Sequence, residues 1–164
     1  MIDDLSRWSP RELLALHAQI AEELRTRGIT RSSNNPTGDL AEYLFCKAFG
    51  WKQAGNSNAN IDAIGDPGGI RYQVKGRWMT RRNHSRQLSA IRDLGSARFD
   101  FLAGILFSED YSIVRAAIIP RAVVVKRASF VSHTNSHKFL LRDDVWDAPG
   151  VRDVTAELRA VSLS

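Results

Sequence analysis

Asp62, Gln73 and Lys75 offer a carboxylate, an amide oxygen and an ammonium group that meet if the chain between them folds back on itself. The fold-back signal is Asp66-Pro67-Gly68-Gly69, strong turn chemistry between two β-like runs, residues 60–65 and 70–75. With residues 66–69 as the loop, Gly65 faces Ile70, Ala63 faces Tyr72, Asp62 faces Gln73 and Ile61 faces Val74. Side chains alternate across a strand, so Ile61, Ala63, Tyr72 and Val74 form one apolar face, while Asp62, Gln73 and Lys75 share the other. A carboxylate and an amide oxygen, with the Val74 carbonyl as a further donor, suit a hard divalent cation. Magnesium keeps several of its waters and needs few protein ligands. Lys75 would then stand beside a phosphate, orienting or deprotonating the nucleophile and offsetting charge in the transition state. Taken singly, Asp62 also reads as a turn-flanking surface residue and Lys75 as a solvent-facing strand end.

The element before the hairpin must supply whatever else the site needs. Asn35-Pro36 opens and Gly50 closes a helix over residues 37–49. Its apolar arc is Leu40, Ala41, Leu44, Phe45, Ala48 and Phe49, with Asp39, Tyr43 and Lys47 on the wet face. Glu42 sits at the arc's edge between Phe49 and Cys46; such a carboxylate either snorkels to solvent or is directed at a site. An earlier helix begins at Ser9-Pro10-Arg11-Glu12, a capping-box signal, and carries Leu13, Leu16, Ile20 and Leu24 at helical spacing until Gly28. That stripe reads as scaffold.

Charge is unevenly spread. The net is +5, yet residues 71–98 hold eight basic residues against Asp93 alone, leaving the remainder slightly acidic. Arg71, Arg77, Arg81, Arg82 and Arg86 surround Trp78, giving cations for phosphates and an aromatic plane for sugar or base. A nucleic-acid face, with DNA as the partner, is expected there; the alternatives are a solvated loop and a Trp78 anchored in the core.

Past this stretch, residues 99–107 are apolar nearly throughout, as in a central strand covered on both faces, and residues 111–119 form a further strand candidate. Pro120 opens a short helix through Ala128, residues 138–141 suggest an edge strand, and residues 151–161 a closing helix. The 164 residues suffice for one domain and are too few for two. The single Cys46 excludes an internal disulfide and a cysteine-based zinc site. With no apolar run of about 20 residues and no signal-peptide pattern, a cytoplasmic protein without a membrane span is expected. His133 and His137 have i,i+4 spacing but lack the glutamate and partners of a zinc helix.

The order Glu42, Asp62, then Tyr72-Gln73-Val74-Lys75 resembles the PD-(D/E)xK nuclease superfamily, most clearly over residues 36–78. The neutral Gln73 at the acidic position is similar to the QxK form of methyl-directed (Mrr-type) restriction endonucleases. The resemblance implies an α/β (α+β) fold, a mixed central sheet flanked by helices and restriction endonuclease-like. It implies Asp62, Gln73 and Glu42 as ligands of Mg2+ or Mn2+, Lys75 as the catalytic lysine, and hydrolysis of DNA phosphodiester bonds. A catalytically silent DNA-binding module, or a subunit of a restriction or defence complex with a partner protein, remains the alternative. Cutting both strands of a duplex often calls for two sites, so a homodimer is a further expectation.

Overall fold

The computed structural model describes residues 4–32, 34–55 and 61–163. Its centre is a mixed sheet of six strands: β1 (Lys52–Gln53), β2 (Ala63–Gly65), β3 (Ile70–Trp78), β4 (Phe101–Phe107), β5 (Ile113–Pro120) and β8 (Arg152–Asp153), in that spatial order. Only β3 and β4 run parallel; every other pairing in this sheet is antiparallel. A separate ribbon pairs β6 (Ser129–Val131) with β7 (Ser136–Lys138). The helices are α1 (Pro10–Thr26), α2 (Thr37–Phe49), α3 (Arg121–Arg127) and α4 (Thr155–Arg159). The expected mixed α/β architecture, a central sheet flanked by helices, is therefore present.

The hairpin register is the one that the turn and the alternation dictate: Gly65 pairs with Ile70 and Ala63 with Tyr72. The two faces of the sheet support two cores. On one, Leu40, Ala41, Leu44 and Phe45 of α2 pack over Ala63, Tyr72, Val74, Ala103, Ile105 and Phe107. On the other, Leu102 and Leu106 are covered by Leu88, Ile91, Phe139 and Leu141 from connecting segments and by Val124 of α3. With both of its faces covered, β4 is the central strand its continuous apolarity foretold.

Two features seat α2 closely. At Gly76 an added Cβ would lie 2.9 Å from the Thr37 carbonyl oxygen and 3.2 Å from Ala41, so the bare backbone lets helix and strand approach. At the helix C-terminus, Gly50 takes the left-handed conformation at φ 66°. The chain then turns Trp51 between Phe45 and Tyr72, at ring-centre distances of 5.7 and 3.6 Å.

Three expectations change. The capping box of α1 forms, with the Ser9 amide donating to Glu12 at 2.8 Å and the Glu12 amide to Ser9 Oγ at 3.3 Å. The stripe it begins is not core, however: no residue of α1 is buried, and Leu14 and Ile20 are 70% and 51% exposed. Leu16, Ile20 and Leu24 instead border a groove with Pro36, Leu40 and Tyr111. The closing helix is shorter than expected because Arg152 and Asp153 extend the sheet beside Ile118 and Ala117, and α4 starts only at Thr155. The edge strand sits earlier than residues 138–141, because Phe139 and Leu141 turn into the second core. The run at residues 60–65 begins in a residue outside those described, and its ladder starts at Ala63.

Candidate active site

β2 is three residues long and β3 nine, so among the described residues β3 has no backbone ladder on its β2 side beyond Tyr72. The candidate site lies at this open edge. Asp62 was expected opposite Gln73; it departs from that register where pairing stops. Its amide donates to the Tyr72 carbonyl at 2.9 Å and its own carbonyl accepts from the Ala54 amide at 3.0 Å. Its carboxylate accepts the Val74 backbone N–H at 2.7 Å, so a side chain does the work of the missing strand.

Glu42 reaches the same place from α2. Its side chain is 14% exposed, and its carboxyl is pushed up to about 7, first by burial and then by the nearby charge of Asp62. Arg31 opposes that rise through a hydrogen-bonded ion pair with Glu42. The loop holding Arg31 is fixed by Asp39, whose Oδ2 accepts the Arg31 amide, the Ser32 amide and the Ser32 hydroxyl at 2.9, 2.9 and 3.0 Å. Burial acts to raise the Asp39 carboxyl, and these bonds outweigh it, leaving it below the usual range. Arg31 is a site residue that sequence reasoning missed, since its role depends on a contact spanning 11 positions. The readable signal was Asp39 in the first turn of α2, where a carboxylate gathers backbone amides. Cys46, also close by, is pushed up to about 11 by burial and by the charge of Glu42, so it remains a neutral thiol and no nucleophile.

Gln73 and Lys75 lie on the face of β3 away from α2. Register sets them beside Leu102 and Gly104 of β4, on the side of the second core. They therefore share a face, as expected, whereas Glu42 and Asp62 approach from the helix side and the edge. Gln73 is 2% exposed, and its Oε1 is buried without a hydrogen-bond partner. Lys75 is half-buried and forms no ion pair or side-chain hydrogen bond with a described residue.

Glu42 and Asp62 offer carboxylate oxygens of the kind a hard divalent cation takes, whereas the register turns Gln73 to the opposite face of the sheet from α2. Among the described residues no group of three or more His, Cys, Asp or Glu is arranged to hold a metal.

Most of the expected nucleic-acid face is already engaged within the chain. Arg71 pairs with Asp100 at 2.8 Å, Arg81 with Glu109 at 2.7 Å and Arg86 with Asp143 at 2.8 Å. Arg77 donates to the Ser85 carbonyl at 2.9 Å. Trp78 stacks on Tyr111 at 5.2 Å, donates to the Glu109 carbonyl and packs against the first core, the anchored alternative. Of this group only Arg82 is exposed without a described partner. No helix among the described residues is long and apolar enough to cross a membrane. No protein-family model and no curated protein matches the chain.

Proposed function

We propose that this protein is a metal-dependent nuclease that hydrolyses DNA phosphodiester bonds in the cytoplasm, a PD-(D/E)xK-like enzyme of the QxK form. The observation that carries the reading is the nearness of Glu42 and Asp62, two carboxylates from separate elements, close enough for the charge of Asp62 to raise the Glu42 carboxyl, with Asp62 fastened to the β3 edge. Like charges brought together in a half-buried place are costly unless a cation joins them. Asp62 and Glu42 would hold Mg2+ or Mn2+, which keeps several of its waters and needs few protein ligands. When bound, that ion supplies positive charge against the phosphate oxygens and lowers the barrier to attack by water. Lys75 contributes from the chain itself: its ammonium, which has no partner among the described residues, orients the attacking water and offsets charge as the ester bond breaks. Asp62 keeps Val74, and with it the Gln73–Lys75 stretch, in place through its hydrogen bond to the backbone.

A second reading has its own support. Arg31 already neutralises Glu42, and Gln73 carries no charge, which suits a DNA-binding module or complex subunit that does not cleave.

Purified protein incubated with supercoiled, linear duplex, single-stranded and branched DNA, with Mg2+, Mn2+ or EDTA, separates the two. Nuclease action predicts metal-dependent nicking that falls at least about 100-fold in Asp62→Asn and in Lys75→Ala. Nicking that persists in EDTA, or survives either substitution, would sink the assignment; DNA binding with no nicking under any metal selects the silent module.

A further inference from the structure

Residues 121–142 contain five basic residues and no acidic one. Two of the five are engaged at home: Arg121 donates to the Leu94 carbonyl at 2.6 Å, and Arg127 pairs with Asp144 at 2.7 Å. The other three, Lys126, Lys138 and Arg142, are exposed and make no ion pair or side-chain hydrogen bond with a described residue. They lie on the β6–β7 ribbon or within four positions of it along the chain. Lys126 lies near the end of α3, three positions before β6; Lys138 pairs across the ribbon with Ser129; Arg142 follows the buried Leu141. On the ribbon's other face Phe130 is 59% exposed, backed by His137 at a ring-centre distance of 5.2 Å.

The ribbon is attached to the Lys75 side of the molecule. Ile91 forms an isolated bridge with His137 and Gln87 with Leu140, and Leu88, Ile91 and Leu141 belong to the core under Leu102 and Leu106. That is the face of the sheet to which register assigns Gln73 and Lys75.

We infer that the β6–β7 ribbon, with Lys126, Lys138 and Arg142, is the surface that grips duplex DNA, in place of the ion-paired stretch around Arg71 and Arg86. This rests on the reading of DNA as the substrate. Phosphate neutralisation needs cations that are not already neutralised by the protein's own carboxylates. A two-stranded ribbon is narrow enough to enter the major groove. Lys126, Lys138 and Arg142 then serve phosphates, and the exposed Phe130 offers an apolar contact.

The test is anisotropy of a fluorescein-labelled duplex in EDTA, which removes cleavage from the measurement, titrated across salt concentrations. Compared with wild type are the triple variant Lys126→Ser, Lys138→Ser, Arg142→Ser and a control of equal charge change on exposed α1-side residues: Arg7→Ser, Arg25→Ser, Arg27→Ser. Far-UV circular dichroism verifies that both variants fold. The ribbon variant is expected to bind at least tenfold more weakly at low salt and to lose about 3 from the slope of log K against log salt. The control should stay within about threefold of wild type. In a separate variant, Phe130→Ser should weaken binding while leaving the salt slope unchanged. Equal losses in the two triple variants, wild-type binding by the ribbon variant, or no duplex binding by wild type would each overturn the inference. The reading of the active site is decided apart from this, by metal-dependent nicking: a ribbon-dependent binder that never nicks loses the nuclease and keeps the ribbon, and a nuclease indifferent to the ribbon does the reverse.

Discussion

Helices α1 and α2 carry equally clear start and stop signals, yet they serve the molecule in opposite ways. The first has the better cap, with both arms of its capping box formed, and buries nothing. The second lacks a side-chain cap on its own N-cap residue, buries Thr37, Leu40, Ala41, Leu44 and Phe45, and delivers Glu42 to the site. Local signals decide that a helix exists; contact with the sheet decides what it is worth.

The sharpest way to break this contrast is to truncate one apolar residue from each helix. Leu44→Ala, in the fully packed core of α2, should cost about 2 to 5 kcal/mol in urea unfolding. If it costs less than about 1 kcal/mol, the α2 core is not close-packed. The next effect concerns charge. Folded Glu42 keeps its proton up to about pH 7, whereas an unperturbed glutamate releases it near 4.5. The folded state thus binds the extra proton between those values, and the stability linked to it is complete below about pH 4.5 and lost as pH rises through 7. Glu42→Gln escapes that loss: its free energy of unfolding in urea should match wild type near pH 4 and exceed it at pH 8, by at most about 3 kcal/mol. A gap that is constant across pH would show that burial does not control Glu42. On α1 the cap should matter more than the stripe. Ser9→Ala should lower stability by about 1 kcal/mol. Ile20→Ser, half exposed beside the groove, should shift it by less than about 0.5 kcal/mol; a large loss there would mean that α1 is held by contacts its exposure hides.

The parts that were legible in the sequence share a physical property: they depend on neighbours a few positions apart. The capping box at Ser9 and Glu12, the bounds of α2, and the pairing of Gly65 with Ile70 follow from turn chemistry and alternation. What was hidden depends on distant partners or on where an element stops. Alternation placed Asp62 opposite Gln73, but the ladder ends one residue earlier, and the freed carboxylate turns to the Val74 amide. The arginines read as phosphate ligands were judged by their spacing, while Asp100, Glu109 and Asp143, which neutralise Arg71, Arg81 and Arg86, lie 28 to 57 positions away. Periodicity marked the α1 stripe as apolar and could not say whether anything covers it.

The shortness of β2 sets a limit on how this corner can change. Two further residues of pairing would give Val74 a backbone partner and release Asp62 from its fastening duty, making the fold more regular. The same extension would cover the edge of β3 at Val74, the approach that the proposed hydrolysis of a phosphodiester needs. Order at the strand and access to its edge are thus drawn from one stretch of backbone, and a single aspartate lets the chain keep both.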